Sequence, residues 1–183
     1  MFRVCVLGHL RSVKDPFRAA MAARLLPADS RVRIFHVGEA LSEGTGRRAL
    51  REMARNPRWW WLGERPRGEA LRFLARSRLL VLSSLMEGGA NAVSEALALG
   101  VPVLSSRIPG SIGLLGERYP GYFPAGDTLA LARLLERVET DAAFRSRLQD
   151  WCARLAPLFD PEREKRSWQR LLHEMVGALK SRS

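Results

Sequence analysis

Two glutamates, Glu87 and Glu95, stand eight positions apart on either side of a glycine-bearing turn in the stretch VLSSLMEGGANAVSEALALGVPVLSS, residues 81–106. Eight helical residues span about 12 Å of rise, so the two carboxylates cannot work as one acid–base pair and must touch different groups. Between them Gly88, Gly89, Ala90 and Asn91 form a turn whose backbone N–H groups can face outward. The run LLVLSS before the turn is apolar enough for a buried strand. Residues 92–99 read as a helix ended by Gly100 and Pro102, and VPVLSS as a second strand. Such a βαβ unit places the helix N-terminus at the carboxyl edge of a sheet, where unpaired N–H donors and the helix dipole favour a phosphate group. A diphosphate over the amides of residues 88–91 would have a glutamate on each side. Carboxylates accept well from diols, which a nucleotide sugar carries at both ends.

The charge of a diphosphate calls for a cation as well as amides. A β-rich run over residues 2–7 opens on Gly8, and the loop after it, HLRSVKDP, carries His9, Arg11 and Lys14. In a parallel sheet that loop leaves from the same edge as Glu87, so separated segments can converge on one crevice with no metal ion required.

The elements that must hold these residues alternate. After the first strand come a helix over 17–26, a strand over 31–37 ending on Gly38, and a helix over 43–55 stopping near Asn56-Pro57. A strand over 59–62 closed by Gly63, a helix over 69–76 and a strand over 79–83 follow. Strand and helix in alternation predict an α/β fold, a Rossmann-like doubly wound parallel sheet. Beyond Ser106 the stretch RIPGSIGLLG reads as a loop, followed by a short strand over 121–123 and helices over 128–138 and 141–155. A helical C-terminal tail completes the chain, a helix over 162–179 with Asp160 as N-cap and Pro161 at its first position. The expected organisation is therefore a nucleotide-sugar-binding domain over residues 1–158 and a tail over 159–183.

Composition excludes some function classes. With 46% hydrophobic and 27% charged residues the 183-residue chain is ordinary globular material, which argues against disorder. The net charge of +11 would permit nucleic-acid or anionic-membrane binding. Yet among the 30 basic residues only Lys14, Lys165 and Lys180 are lysine, and the arginines are scattered over expected helices. We read them as a solvated basic surface, with non-specific nucleic-acid binding ranked last. Cys5 and Cys152 have no partner at metal-ligand or redox spacing and read as reduced packing thiols, and no metal-binding cluster emerges. No apolar run approaches the roughly 20 residues of a membrane span, and the opening MFRVCVLGHL is too short for a signal peptide, so a cytoplasmic protein is expected. The run Trp59-Trp60-Trp61 suggests sheet packing before base stacking, and His36 and His173 read as structural or exposed.

The segments GHLRSVKDP, WLGERP, EGGANAVSEALALGVPVLSS and PAGD resemble, in succession, the motifs of retaining glycosyltransferases with the GT-B fold and the E-x7-E signature (glycosyl transferases group 1). The likeness covers residues 2–135 and implies the donor-binding half of a GT-B enzyme using a UDP-sugar, without cofactor or metal. It implies that Glu95 holds the ribose hydroxyls, Glu87 the transferred sugar and the amides of Gly88, Gly89, Ala90 and Asn91 the phosphates. Lys14 matches the phosphate-binding lysine, and Gly8, His9 and Gly63 fall in matching substrate-binding segments. His9 stands where the family usually has arginine, a cation that Arg11 can replace. After the fifth strand, Gly110-Ser111-Ile112-Gly113-Leu114 offers no carboxylate where the family usually has one. The wording of GHLRSVKDPFRAA, EGGANAVSEAL and SRIPGSIGLLGERYPGYFPAGDT is also similar to the selenosugar synthases of selenoneine biosynthesis, which implies UDP-N-acetylglucosamine as donor and selenophosphate as acceptor. The resemblance further implies an N-terminal GT-B domain in cis or trans, on which the tail would dock and without which the chain would bind but not transfer. The alternative from another class is a catalytically silent binding or scaffold subunit.

Overall fold

The fold is described from a computed structural model, in which residues 1–159, 165–166, 168–171 and 173 are defined. Apart from those few positions, the tail helix expected over 162–179 and its docking lie outside the described residues.

Among the described residues six strands form one sheet in the order β3-β2-β1-β4-β5-β6, with every pairing parallel. They are β1 (Phe2–Leu7), β2 (Val32–Val37), β3 (Trp59–Trp61), β4 (Leu79–Leu82), β5 (Val103–Ser106) and β6 (Tyr122–Phe123). Helices α1 (Arg18–Arg24), α2 (Glu43–Arg55), α3 (Arg67–Ala75), α4 (Asn91–Ala98), α5 (Pro109–Leu115), α6 (Thr128–Thr140) and α7 (Ala142–Leu155) flank it. The expected doubly wound α/β sheet is therefore present. β4 and β5 are buried at every position, which is why LLVL and VLSS do not alternate as a half-exposed strand would.

Local chemistry explains the helix limits. Ser42 caps α2 by accepting from the Thr45 amide at 3.2 Å, and the buried Asn56 beyond its last turn donates to the Ala20 carbonyl and the Glu52 carboxylate, both at 2.9 Å. Asp127 and Asp141 cap α6 and α7 through the amides of Ala130 and Phe144. α4 buries Val93, Ala96 and Leu97 on one face. It closes with Gly100 at φ +69, where the Gly100 amide meets the Leu97 carbonyl and the Val101 amide meets that of Ala96.

One sequence expectation fails. The stretch RIPGSIGLLG contains a helix, α5, not a loop throughout. Proline is tolerated at the start of a helix, where its missing N–H would have no partner. Gly110 is required there because a Cβ would overlap the Glu87 carbonyl, and Ser111 is buried and accepts from Ser105 Oγ at 2.8 Å. Tertiary contacts, not local propensity, thus set this helix.

The tryptophan run is packing. Trp59 is fully buried against Phe17 and His36, Trp60 stacks on Phe35 at 5.1 Å, and Trp61 donates to the Gly38 carbonyl at 2.8 Å. Both cysteines are free and buried, and burial pushes the Cys5 thiol up to about 12 and raises that of Cys152. No helix among the described residues is long and apolar enough to cross a membrane. Because the Trp59 indole N–H has no hydrogen-bond partner among the described residues, Trp59→Ala should lower the unfolding free energy through packing alone, by about 3–5 kcal/mol in a urea titration. Ellman's reagent should leave both thiols unmodified in the folded chain and titrate both after denaturation.

Candidate functional site

β1 pairs with β2 on one side and with β4 on the other, so the loops after β1 and β4 leave one edge in opposite directions and open a crevice between them. Close backbone contact shapes its floor. Gly38 ends β2 at φ +154, and a Cβ there would overlap the carbonyl of Gly8, itself at φ +152. Both positions require glycine.

The loop after β1 is held from both neighbouring strands. His9 Nδ1 accepts from the Glu39 amide at 3.1 Å, tying it to the loop after β2. On the other side Ser83 Oγ donates to the carbonyls of Lys14 (3.2 Å) and Asp15 (3.0 Å), and the Leu85 amide meets the Val13 carbonyl at 2.8 Å. Residues Ser12–Lys14 form a single 3-10 turn closed by Asp15 in the left-handed region at φ 44. Asp15 then pairs with Arg18 at 2.6 Å.

This bracing carries Lys14 across the crevice. Its Nζ donates to Glu87 Oε1, which also accepts from Ser84 Oγ at 2.6 Å. The Glu87 side chain is only 9% exposed, so its charge leaves bulk water but keeps an opposite charge and a hydroxyl. Beyond Glu87 the chain turns into α4 with no side-chain cap, and Ala90 occupies the N-cap position. Among the described residues no hydrogen-bond acceptor meets the amides of Gly88, Gly89, Ala90, Asn91 or Ala92. Gly88 and Gly89 have ordinary φ angles, and a Cβ on either would enter open space. Neither glycine is explained by the fold itself, and bare amides at a helix N-terminus form a ready anion cradle.

Glu95, one wall further along α4, does not approach Glu87. Arg67, at the start of α3, pairs with it at 2.9 Å, and both line a cleft of about 380 Å³ with Leu71, Asn91, Ser94, Leu99 and Phe159. Gly63 lies at the end of β3 with φ +70 and accepts from the Gly38 amide at 2.9 Å, two strands away from Lys14. Arg11 is exposed and has no ion-pair partner among the described residues. The structure thus brings Gly8, Lys14, Glu87 and the amides of residues 88–91 together, with Glu95 in an adjoining cleft, whereas Arg67 and Ser84 carry no signal in the sequence. No local pattern distinguishes Arg67 among the arginines, and Ser84 belongs to a serine pair that otherwise looks like a strand end. No group of three His, Cys, Asp or Glu side chains among the described residues is arranged to hold a metal ion.

The two ion pairs differ in setting. Arg67 is 79% exposed, while Lys14 is 31% exposed and its partner nearly buried. Double-mutant cycles on urea unfolding should therefore give a coupling of about 1–3 kcal/mol for Lys14 with Glu87. The coupling of Arg67 with Glu95 should stay below about 1 kcal/mol and vanish in high salt.

Comparison with known proteins gives this arrangement its context. Over 89 residues the chain is 36% identical to the amylovoran biosynthesis glycosyltransferase AmsK of Erwinia amylovora, covering 45% of this chain and 22% of that one. Its fold is similar to that of Anabaena Alr3699/HepE, solved in complex with UDP and glucose. There the TM-score is 0.79 at 18% identity, over 97% of this chain and 48% of that one. Sucrose-phosphate synthase from Thermosynechococcus elongatus gives a TM-score of 0.76 at 22% identity, over 96% of this chain and 46% of that one. The chain thus spans about half the length of these two solved proteins and about a fifth of AmsK. Residues 2–151 match the family glycosyl transferases group 1, and with the doubly wound sheet and its crevice already described, the chain belongs to that family.

Proposed function

We propose that this chain is the donor-binding half of a retaining glycosyltransferase that uses a UDP-sugar. One observation carries the reading. The unpartnered amides of residues 88–92 and the Lys14–Glu87 pair meet at the switch point of a parallel sheet, with two glycines that the fold does not need. A diphosphate seated there meets amide donors and the Lys14 ammonium, and Arg11 is free to reach it from the exposed side of the same loop. Glu95 accepts from the ribose hydroxyls in the adjoining cleft and Glu87 from the transferred sugar, while Gly8 and Gly63 let backbone approach the ligand closely.

When the bond from the anomeric carbon to the phosphate oxygen breaks, the electron pair stays on the diphosphate. Lys14 and the α4 N-terminus stabilise the charge that develops there. Glu87, fixed by Lys14 and Ser84, orients the sugar for attack by the acceptor, whose proton passes to the departing diphosphate oxygen as the new bond forms. The acceptor and the other wall of the cleft belong to a further GT-B domain in cis or trans. Leu85 and Met86, exposed directly before Glu87, favour such a cover. The likeness to selenosugar synthases supports UDP-N-acetylglucosamine as donor and selenophosphate as acceptor. A second reading, a subunit that binds nucleotide but transfers nothing, is favoured by His9. It replaces the family's usual arginine and commits its Nδ1 to the Glu39 amide.

Titration calorimetry with UDP tests the donor site directly. The wild-type chain should bind, and Lys14→Ala together with Glu95→Ala should weaken binding by at least about 100-fold, two lost charged contacts of about 1.5–3 kcal/mol each. A folded wild type that ignores UDP, or undiminished affinity in the double variant, overturns the reading. With the further domain restored, UDP release that depends on selenophosphate supports the acceptor, and binding without release supports the silent subunit.

A further inference from the structure

His36 lies under the loop that carries the candidate cations, yet never reaches the crevice. It sits in β2 opposite Val6 of β1, is 1% exposed, and packs edge-on against Trp59 at 6.0 Å. Its Nε2 is 2.9 Å from the Gly8 carbonyl oxygen. A carbonyl only accepts, so Nε2 carries the proton and donates. Burial pulls the imidazole down to about 4, against the opposing pull of the Gly8 and Pro16 carbonyls, so the ring is neutral at pH 7. Nδ1 is left without a hydrogen-bond partner among the described residues. The two carbonyls facing this ring bracket residues 8–16, the segment that holds His9, Arg11 and Lys14.

We propose that His36 is a positioning residue for the donor site: by donating to the Gly8 carbonyl from the floor of the sheet, it fixes the loop geometry that sets Lys14 against Glu87. The proposal deepens the donor reading and rests on it. His36 is 1% exposed, and the space between it and Gly8, His9, Lys14, Ser83 and Ser84 is about 10 Å³, room for about one water. Its direct contact on that side is the Gly8 carbonyl, so its effect on binding passes through the loop. The far end of that loop is held from β4, where Ser83 Oγ binds the Lys14 and Asp15 carbonyls. Without the imidazole donor the Gly8 carbonyl is left unmatched in a half-buried place, a penalty that rotation of the Gly8–His9 peptide would relieve at the expense of Lys14's position.

The test compares His36→Phe, which fills the ring's space without a donor, with His36→Gln, whose side-chain amide can reproduce the Nε2–H contact. UDP affinity is measured where each variant is folded. His36→Phe should weaken UDP about tenfold, His36→Gln should restore it to within about threefold, and Lys14→Ala should cost less in the Phe background than in wild type. Equal affinities with only lowered stability, or additive losses with Lys14→Ala, overturn the positioning role. Should His36→Phe not fold, His36→Asn, too short to reach Gly8, takes its place. A second measurement needs no ligand: the Lys14–Glu87 coupling from unfolding cycles should fall in the donor-less variant. Unchanged coupling overturns the proposal, whereas a folded wild type that ignores UDP overturns the donor reading alone.

Discussion

Everything at the candidate site follows from β1 being hydrogen-bonded on both edges in the parallel sense. A strand so placed cannot pass its chain directly to either neighbour. Each connection must cross over a helix, and every strand delivers its following loop to the same rim. At β1 and β4 those loops part, and the gap between them is where N–H donors, Lys14 and Glu87 are left facing one another. The glycines at 8 and 38 let two loop backbones touch at that point, which thins the floor and lets buried side chains such as His36 act on it from below.

Both glutamates are engaged by cations in the free chain, but with different freedom. Glu87 is almost enclosed and its partner reaches it from a loop braced on two strands, so its direction is set before any ligand arrives. Such fixation removes a reorganisation cost from binding. Glu95 faces a cleft and is met by an arginine whose own side chain is largely in water. That pair can open or be shared at little cost, because solvent already screens it. One carboxylate is thus preset and the other adaptable.

The fold was legible because its signals are local. Alternation of apolar runs and capped helices marks the elements, and Gly100 with Pro102 stops α4 where expected. Gly88 and Gly89 were legible for the opposite reason, since no packing demand accounts for them. What escaped depends on contacts remote in sequence. α5 looks like a loop because Pro109, Gly110 and Ser111 are turn residues, and only the approach to Glu87 and the bond to Ser105 convert them to a helix. Arg67 is one arginine among many until α3 is placed beside α4, and His36 is ordinary until the Gly8 carbonyl is seen above it.

Gly110 lies against the Glu87 carbonyl so closely that no side chain fits between them. The loop after β5 and the loop after β4 therefore share one wall, and residue 110 cannot be enlarged without displacing the glutamate. In evolutionary terms the two positions are not independent: a lineage that alters the segment after β5 to accommodate a new substrate must either keep glycine at 110 or find Glu87 a new place. Leu115, at the far end of α5, is fully buried in the core, and Leu114 packs against it, so only Ile112 and Gly113 between these two anchors are left with room to vary.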